Sequence, residues 1–233
     1  MAQPQQEREG FLGLKEWQIA VEAVLRGEVG FLLRKGGIHE PGNRFLIRAA
    51  RFWLFPTYEH QAEAAREETP QLREPWWSRL LQRAEPLRSA QEAERLGIGP
   101  YTPEKVPIEG FVELRRAVEL WSEEALRRLL PWGLWTEAFA RSRLRWKPRQ
   151  PLLVFLLNAY RTERWTVPAD RVSRRCYSWL ELPRSWEEFA GEPVRFSQAA
   201  ALDHLLDELS DLPEERAARR AGRVALSAER AAH

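Results

Sequence analysis

The sequence predicts an α+β fold: a mixed or barrel-like, mostly antiparallel sheet with flanking helices and a helical C-terminal appendage. Three observations carry that prediction. Short apolar runs end abruptly in turn-forming residues, as in 29–34 before Gly36-Gly37 and in 51–55 before Pro56. Ile108, Val112, Leu114 and Val118 sit at even spacing, with Glu113, Arg115 and Glu119 between them, which is the period-2 pattern of a half-buried strand. Other stretches carry apolar groups at three- and four-residue steps, which is helical spacing.

In chain order, Leu14, Trp17, Val21, Val24 and Leu25 predict one helical stripe of about three and a half turns, stopped by Gly27. Residues 29–34 then predict a strand, with Gly36-Gly37 as its turn and 39–44 as a loop. Residues 51–55 predict a second strand, broken at Pro56, which lacks an N–H. Thr57 is placed to cap a helix starting at Tyr58-Glu59-His60-Gln61. Residues 76–96 are helical in propensity and interrupted by Pro86; 97–107 form a linker-like loop.

Ser122 opens a short helix through Leu130, and 134–144 predict another. Residues 151–160 are the most apolar segment and predict a central strand. Residues 165–167 and 177–182 predict short strands. Ser185 and Glu188 have capping-box spacing, and 199–209 are amphipathic. From Pro213 onward the Ala/Arg/Glu composition predicts a frayed helix or a disordered tail. The organisation expected is an α+β domain over 11–183 and a helical appendage over 184–233.

Composition bounds the function classes. The polar opening lacks the apolar stretch of a secretory signal, and no apolar run approaches the roughly 20 residues of a membrane span. One cysteine, Cys176, leaves no internal disulfide framework and no cysteine-based zinc site. A cytoplasmic protein is expected. The basic residues are 32 Arg and 4 Lys, a bias that a GC-rich genome and a thermophile would both produce. The net charge of +2 hides an uneven distribution. Between 141 and 175 there are ten Arg or Lys against Glu163 and Asp170, an excess of eight. Such an excess favours an anionic partner, unless acidic helices elsewhere balance it.

Several residues are candidates for chemistry. Arg34, Lys35, Gly36 and Gly37 could hold a phosphate, because Gly lets backbone N–H groups approach and Arg supplies a fork of donors. The segment is not a Walker loop, and a hairpin turn with exposed charges would look the same. Glu59 and His60 could form an acid–base pair or, with His39, hold a metal ion. Adjacent helical residues diverge by about 100°, which weighs against the pair. Thr57, Tyr58 and Gln61 add hydrogen-bonding capacity, and Arg161 adds a further cation. Cys176 beside Arg174 and Arg175 could be an activated thiol, although a lone Cys in a strand is usually a small buried hydrophobe. Among the eleven Trp, residues 53, 76, 77, 146, 165 and 179 could include base-stacking platforms or belong to the core.

The strings 14–17 with 20–23, 32–38, 54–61, 151–152 with 156–157 and 160–161, and 176–182 resemble the bacterial family catalogued as domain of unknown function 1802. Ser173-Arg174-Arg175 departs from a glycine-containing turn at that point of the pattern. That family carries no assigned activity. The segment 24–34, a helix end, Gly27, an apolar strand and Arg34, is also similar to PUA-like domains of the ASCH type, which implies binding of RNA or modified nucleic acid. The leading expectation is therefore a protein that recognises RNA or DNA through a basic cleft, with the cofactor unspecified. The alternatives are a hydrolase or nuclease using Glu59, His60 and His39, and a protein-interaction module docking through the acidic helix 201–209.

Overall fold

The computed structural model describes residues 11–36, 45–171 and 177–231. Gly37, His39, Cys176 and the departure at 173–175 lie outside them. In chain order the elements are β1 (Phe11–Trp17), α1 (Gln18–Leu25), β2 (Phe31–Arg34), β3 (Arg51–Thr57), α2 (Glu59–Ala64), α3 (Trp76–Leu81), α4 (Ala90–Leu96) and β4 (Lys105–Leu120). They continue with α5 (Glu123–Leu129), α6 (Glu137–Arg145), β5 (Leu152–Pro168), β6 (Trp179–Leu182), β7 (Glu192–Val194), α7 (Ala199–Asp211) and α8 (Pro213–Ala231). The fold is α+β, as the patterning predicts.

The strands form one open, mostly antiparallel sheet in the order β2-β5-β4-β3-β1-β6, with β7 also on β5. Among the described strands only β1 and β3 run parallel, Gly13 opposite Trp53 through Trp17 opposite Thr57. β2 pairs the first half of β5 and β7 pairs a later part, so the two share one edge. β4 and β5 are long because they pair over nearly their whole length, with two irregularities that let the ladder bend.

β3 shows why the core has two parts. Successive side chains of a strand point to opposite faces. Phe52 and Leu54 enter a large cluster with α1, α5, α6 and α7. Trp53 and Phe55 enter a smaller one with Ile108, Phe111 and Trp165. All four are buried, which marks β3 as a strand covered on both sides.

Several expectations are corrected. Residues 11–17 are a strand, and the helix occupies only Gln18–Leu25. β3 runs through Pro56 to Thr57, because its pairing with β4 ends at Trp53 and Pro56 lies where that ladder has stopped. Residues 165–167 are the end of β5, not a separate strand. Gly36 does not turn a hairpin, since β2 and β3 are not neighbours. Helix starts match the sequence where caps were legible. The Ser122 hydroxyl accepts from the Ala125 N–H at 3.1 Å, and Ser185 with Glu188 forms a complete capping box.

The segment after Pro213 is helical, and a buried polar contact helps to tie it down. The Glu215 carboxylate is buried and accepts hydrogen bonds from the backbone N–H groups of Trp121 and Ser122 at 2.8 Å each. The acidic face of α7 is also occupied from within the chain. Asp203, Asp207 and Glu208 pair with Arg115, Arg116 and Arg128, while Leu202, Leu206 and Leu209 enter the core.

Candidate functional site

A cleft of about 880 Å³ opens where the ends of β1, β2 and β3 approach α2, α4 and α6. Its size falls in the range of ligand pockets, roughly 300–1,000 Å³. β2 and β1 are far apart in strand order, yet the Arg34 side chain of β2 reaches β1 here. One Arg34 guanidinium nitrogen donates both to the Lys15 carbonyl at 3.1 Å and to the Glu16 carboxylate at 2.9 Å. The same carboxylate accepts the Trp17 N–H at 2.8 Å, so Glu16 is buried with its charge compensated. Arg34 stacks over Phe45, and its Nε is buried without a partner among the described residues.

Arg34, Thr57, Tyr58, Glu59 and His60 all line this cleft, so the two strand ends singled out by sequence do meet. Their individual roles differ from expectation. Thr57 does not cap α2; its hydroxyl donates to the Glu16 carbonyl at 3.0 Å and ties β3 to β1. Glu59 accepts a hydrogen bond from the Thr102 hydroxyl and sits where Gly99 leaves room, since a Cβ there would meet its carboxylate. His60 is exposed and pairs with Glu63 at 3.2 Å. Glu59 and His60 thus turn to different partners. No group of three or more His, Cys, Asp or Glu among the described residues could hold a metal ion. Burial is the main cause that pushes the Tyr58 hydroxyl up to about 12, with Glu109 adding to it.

The remaining predicted residues make contacts within the chain. Gln61 is buried, and its side-chain oxygen accepts the Ile19 N–H at 3.1 Å, satisfying an orphan donor in the first turn of α1. Lys35 is buried and donates to the Leu144 carbonyl at the end of α6. Burial first, then the nearby cations Arg143 and Lys147, push its amine down to about 8. Gly36 is buried beside it. Arg161 lies elsewhere: its Nε donates to the Leu25 carbonyl at 3.0 Å. Arg34 faces the cleft, whereas Lys35 and Gly36 are buried behind it.

The basic stripe divides in two. Arg141 and Arg145 both pair with Glu123 of α5, and Arg164 pairs with Glu109 of β4. These are partly exposed pairs of small energetic weight, but they spend the charge locally. Arg143 differs. Two residues along a helix turn the side chain by about 200°, so Arg143 leaves the Glu123 side and lines the cleft. It has no carboxylate partner among the described residues and lies 5.1 Å over the ring of Trp146. Burial and the proximity of Arg34 lower its affinity for a proton, with Glu16 partly offsetting this.

Sequence reasoning missed most of the apolar wall. Trp17, Trp135 and Phe139 line the cleft as one aromatic group, with Trp17 and Trp135 edge to face at 5.0 Å and Trp135 stacked on Phe139 at 4.6 Å. Of the proposed stacking tryptophans, only Trp146 lines it. Trp53, Trp165 and Trp179 are buried in the core, and Trp76 donates to Glu28 at 2.7 Å.

The fold and cleft define an α+β protein whose mostly antiparallel sheet borders a large pocket lined by aromatic residues and cations. The chain belongs to the family described as domain of unknown function (DUF1802), whose model matches residues 13–201. No curated protein and no solved structure matches it. No helix among the described residues is long and apolar enough to cross a membrane.

Proposed function

We propose that this protein binds nucleic acid by taking one unstacked nucleotide into the cleft, its base against the aromatic wall and its phosphate at Arg143. Arg143 carries the reading. A guanidinium that lines a pocket, presents five donors and lacks a carboxylate partner among the described residues is matched by a phosphate. The Trp17, Trp135 and Phe139 group supplies the flat apolar faces on which a base stacks. The resemblance of 24–34 to PUA-like domains points in the same direction. Because Arg141, Arg145 and Arg164 are neutralised locally, the mode proposed is capture of a nucleotide and not tracking of a long backbone.

The test is the salt dependence of binding to short single-stranded RNA and DNA. One or two neutralised phosphates, at about 0.7 each, give a slope of log K against log salt of roughly −0.7 to −1.4. A stripe of eight free cations would give a slope near −6, at about 0.7 per phosphate. Absence of binding to both polymers at low salt would remove the proposal.

A further inference from the structure

We infer that the cationic end of the cleft selects a terminal phosphate monoester, so that the nucleotide captured is the end of a strand. This rests on the nucleotide-binding reading and specifies which nucleotide. Glu59 and Glu94 line the cleft from α2 and α4. Arg34 and Arg143 line it from β2 and α6. Lys147 stands 4.7 Å from the centroid of the Trp146 ring that Arg143 also covers, and Lys35 is seated on the carbonyl of Leu144, the residue after Arg143.

Arg34 and Arg143 therefore face the cleft at one end, with Lys35 buried behind them, and among the described residues Glu16 lies between them. Glu16 is bonded to Arg34 and to the Trp17 N–H and offsets the charge of Arg143 only in part. An internal phosphodiester brings one negative charge. A terminal monoester brings close to two at neutral pH, with a second pKa near 6, and offers three free oxygens. Partly buried cations that repel one another gain more from the dianion, because Coulomb energy scales with the charge supplied. The buried Arg34 Nε, unpartnered among the described residues, adds an unused donor at this end.

The experiment compares single-stranded oligonucleotides of one sequence carrying a 5′-phosphate, a 3′-phosphate or only hydroxyl ends. Binding is read by fluorescence anisotropy on the full chain at pH 7.5 and pH 5.5. One phosphorylated end is expected to bind at least tenfold tighter than the hydroxyl-ended strand, and the preference should shrink at pH 5.5 as the monoester loses its second charge. Arg143→Gln should abolish the preference, while Arg161→Gln, outside the cleft, should retain it. Equal affinity for all three wild-type ligands would overturn the inference and leave the nucleic-acid reading standing. No binding to any of them would overturn both. A free nucleoside monophosphate, run alongside, tells whether the rest of the strand contributes; affinity equal to that of the phosphorylated strand would overturn the inference of a strand end.

Discussion

Replacing Trp53 with alanine is expected to cost about 3–5 kcal/mol of folding stability, the usual range for truncating a buried large aromatic residue. Trp53 is fully buried at the centre of the smaller cluster. Its ring meets Trp165, Phe189 and Phe111 at 5.3, 5.2 and 5.8 Å, each edge to face. Its indole N–H also donates to the Arg184 carbonyl at 2.8 Å, so truncation strands an acceptor as well as opening a cavity. Domains commonly have only about 5–15 kcal/mol to lose. The variant should therefore melt far below the wild type in a urea or thermal titration. A loss under about 1 kcal/mol would show that this side of β3 is not a packed core.

Glu215→Ala is expected to be nearly as damaging, at about 3–5 kcal/mol, although it lies in a segment whose composition is that of a tail. The carboxylate holds the N–H groups of Trp121 and Ser122, and Ser122 in turn caps α5. Removing it leaves both backbone donors without their acceptor at a buried junction. Glu215→Gln keeps the shape and one acceptor, so it should cost clearly less. The same contact predicts that truncation before Pro213 lowers the melting temperature. Equal melting of wild type and Glu215→Ala would mean that this contact contributes nothing to the fold.

How far the sequence reveals this molecule depends on the range of the interactions involved. Local signals are readable: Ser122 and Ser185 as caps, the alternation of β4, the apolar run of β5. β1 was not, because Leu14 and Trp17 happen to continue the three- and four-residue spacing of α1. Its strand character comes from pairing with β3 and β6, contacts made by residues distant in the chain. The strings around Arg34 and around 57–61 did mark the cleft. Their roles depended on partners that no local pattern reveals: Glu16 for Arg34, Ile19 for Gln61, Leu144 for Lys35. Arg143 was visible only as one of ten cations. Helical phase was the signal available to separate it, since Arg141 and Arg145 share a face at i, i+4 and Arg143 does not.

That difference of phase gives the most direct test that the cleft, and not the stripe, binds nucleic acid. The measurement compares the affinity of one short single-stranded oligonucleotide for wild type, Arg143→Ala and Arg141→Ala at one salt concentration, after melting curves show all three folded. Arg143→Ala should weaken binding at least tenfold, about 1.4 kcal/mol. Arg141→Ala, whose charge is held by Glu123 outside the cleft, should bind within about twofold of wild type, as expected for loss of one locally neutralised surface charge. Equal losses in the two variants, or an unchanged affinity for Arg143→Ala, would contradict the account.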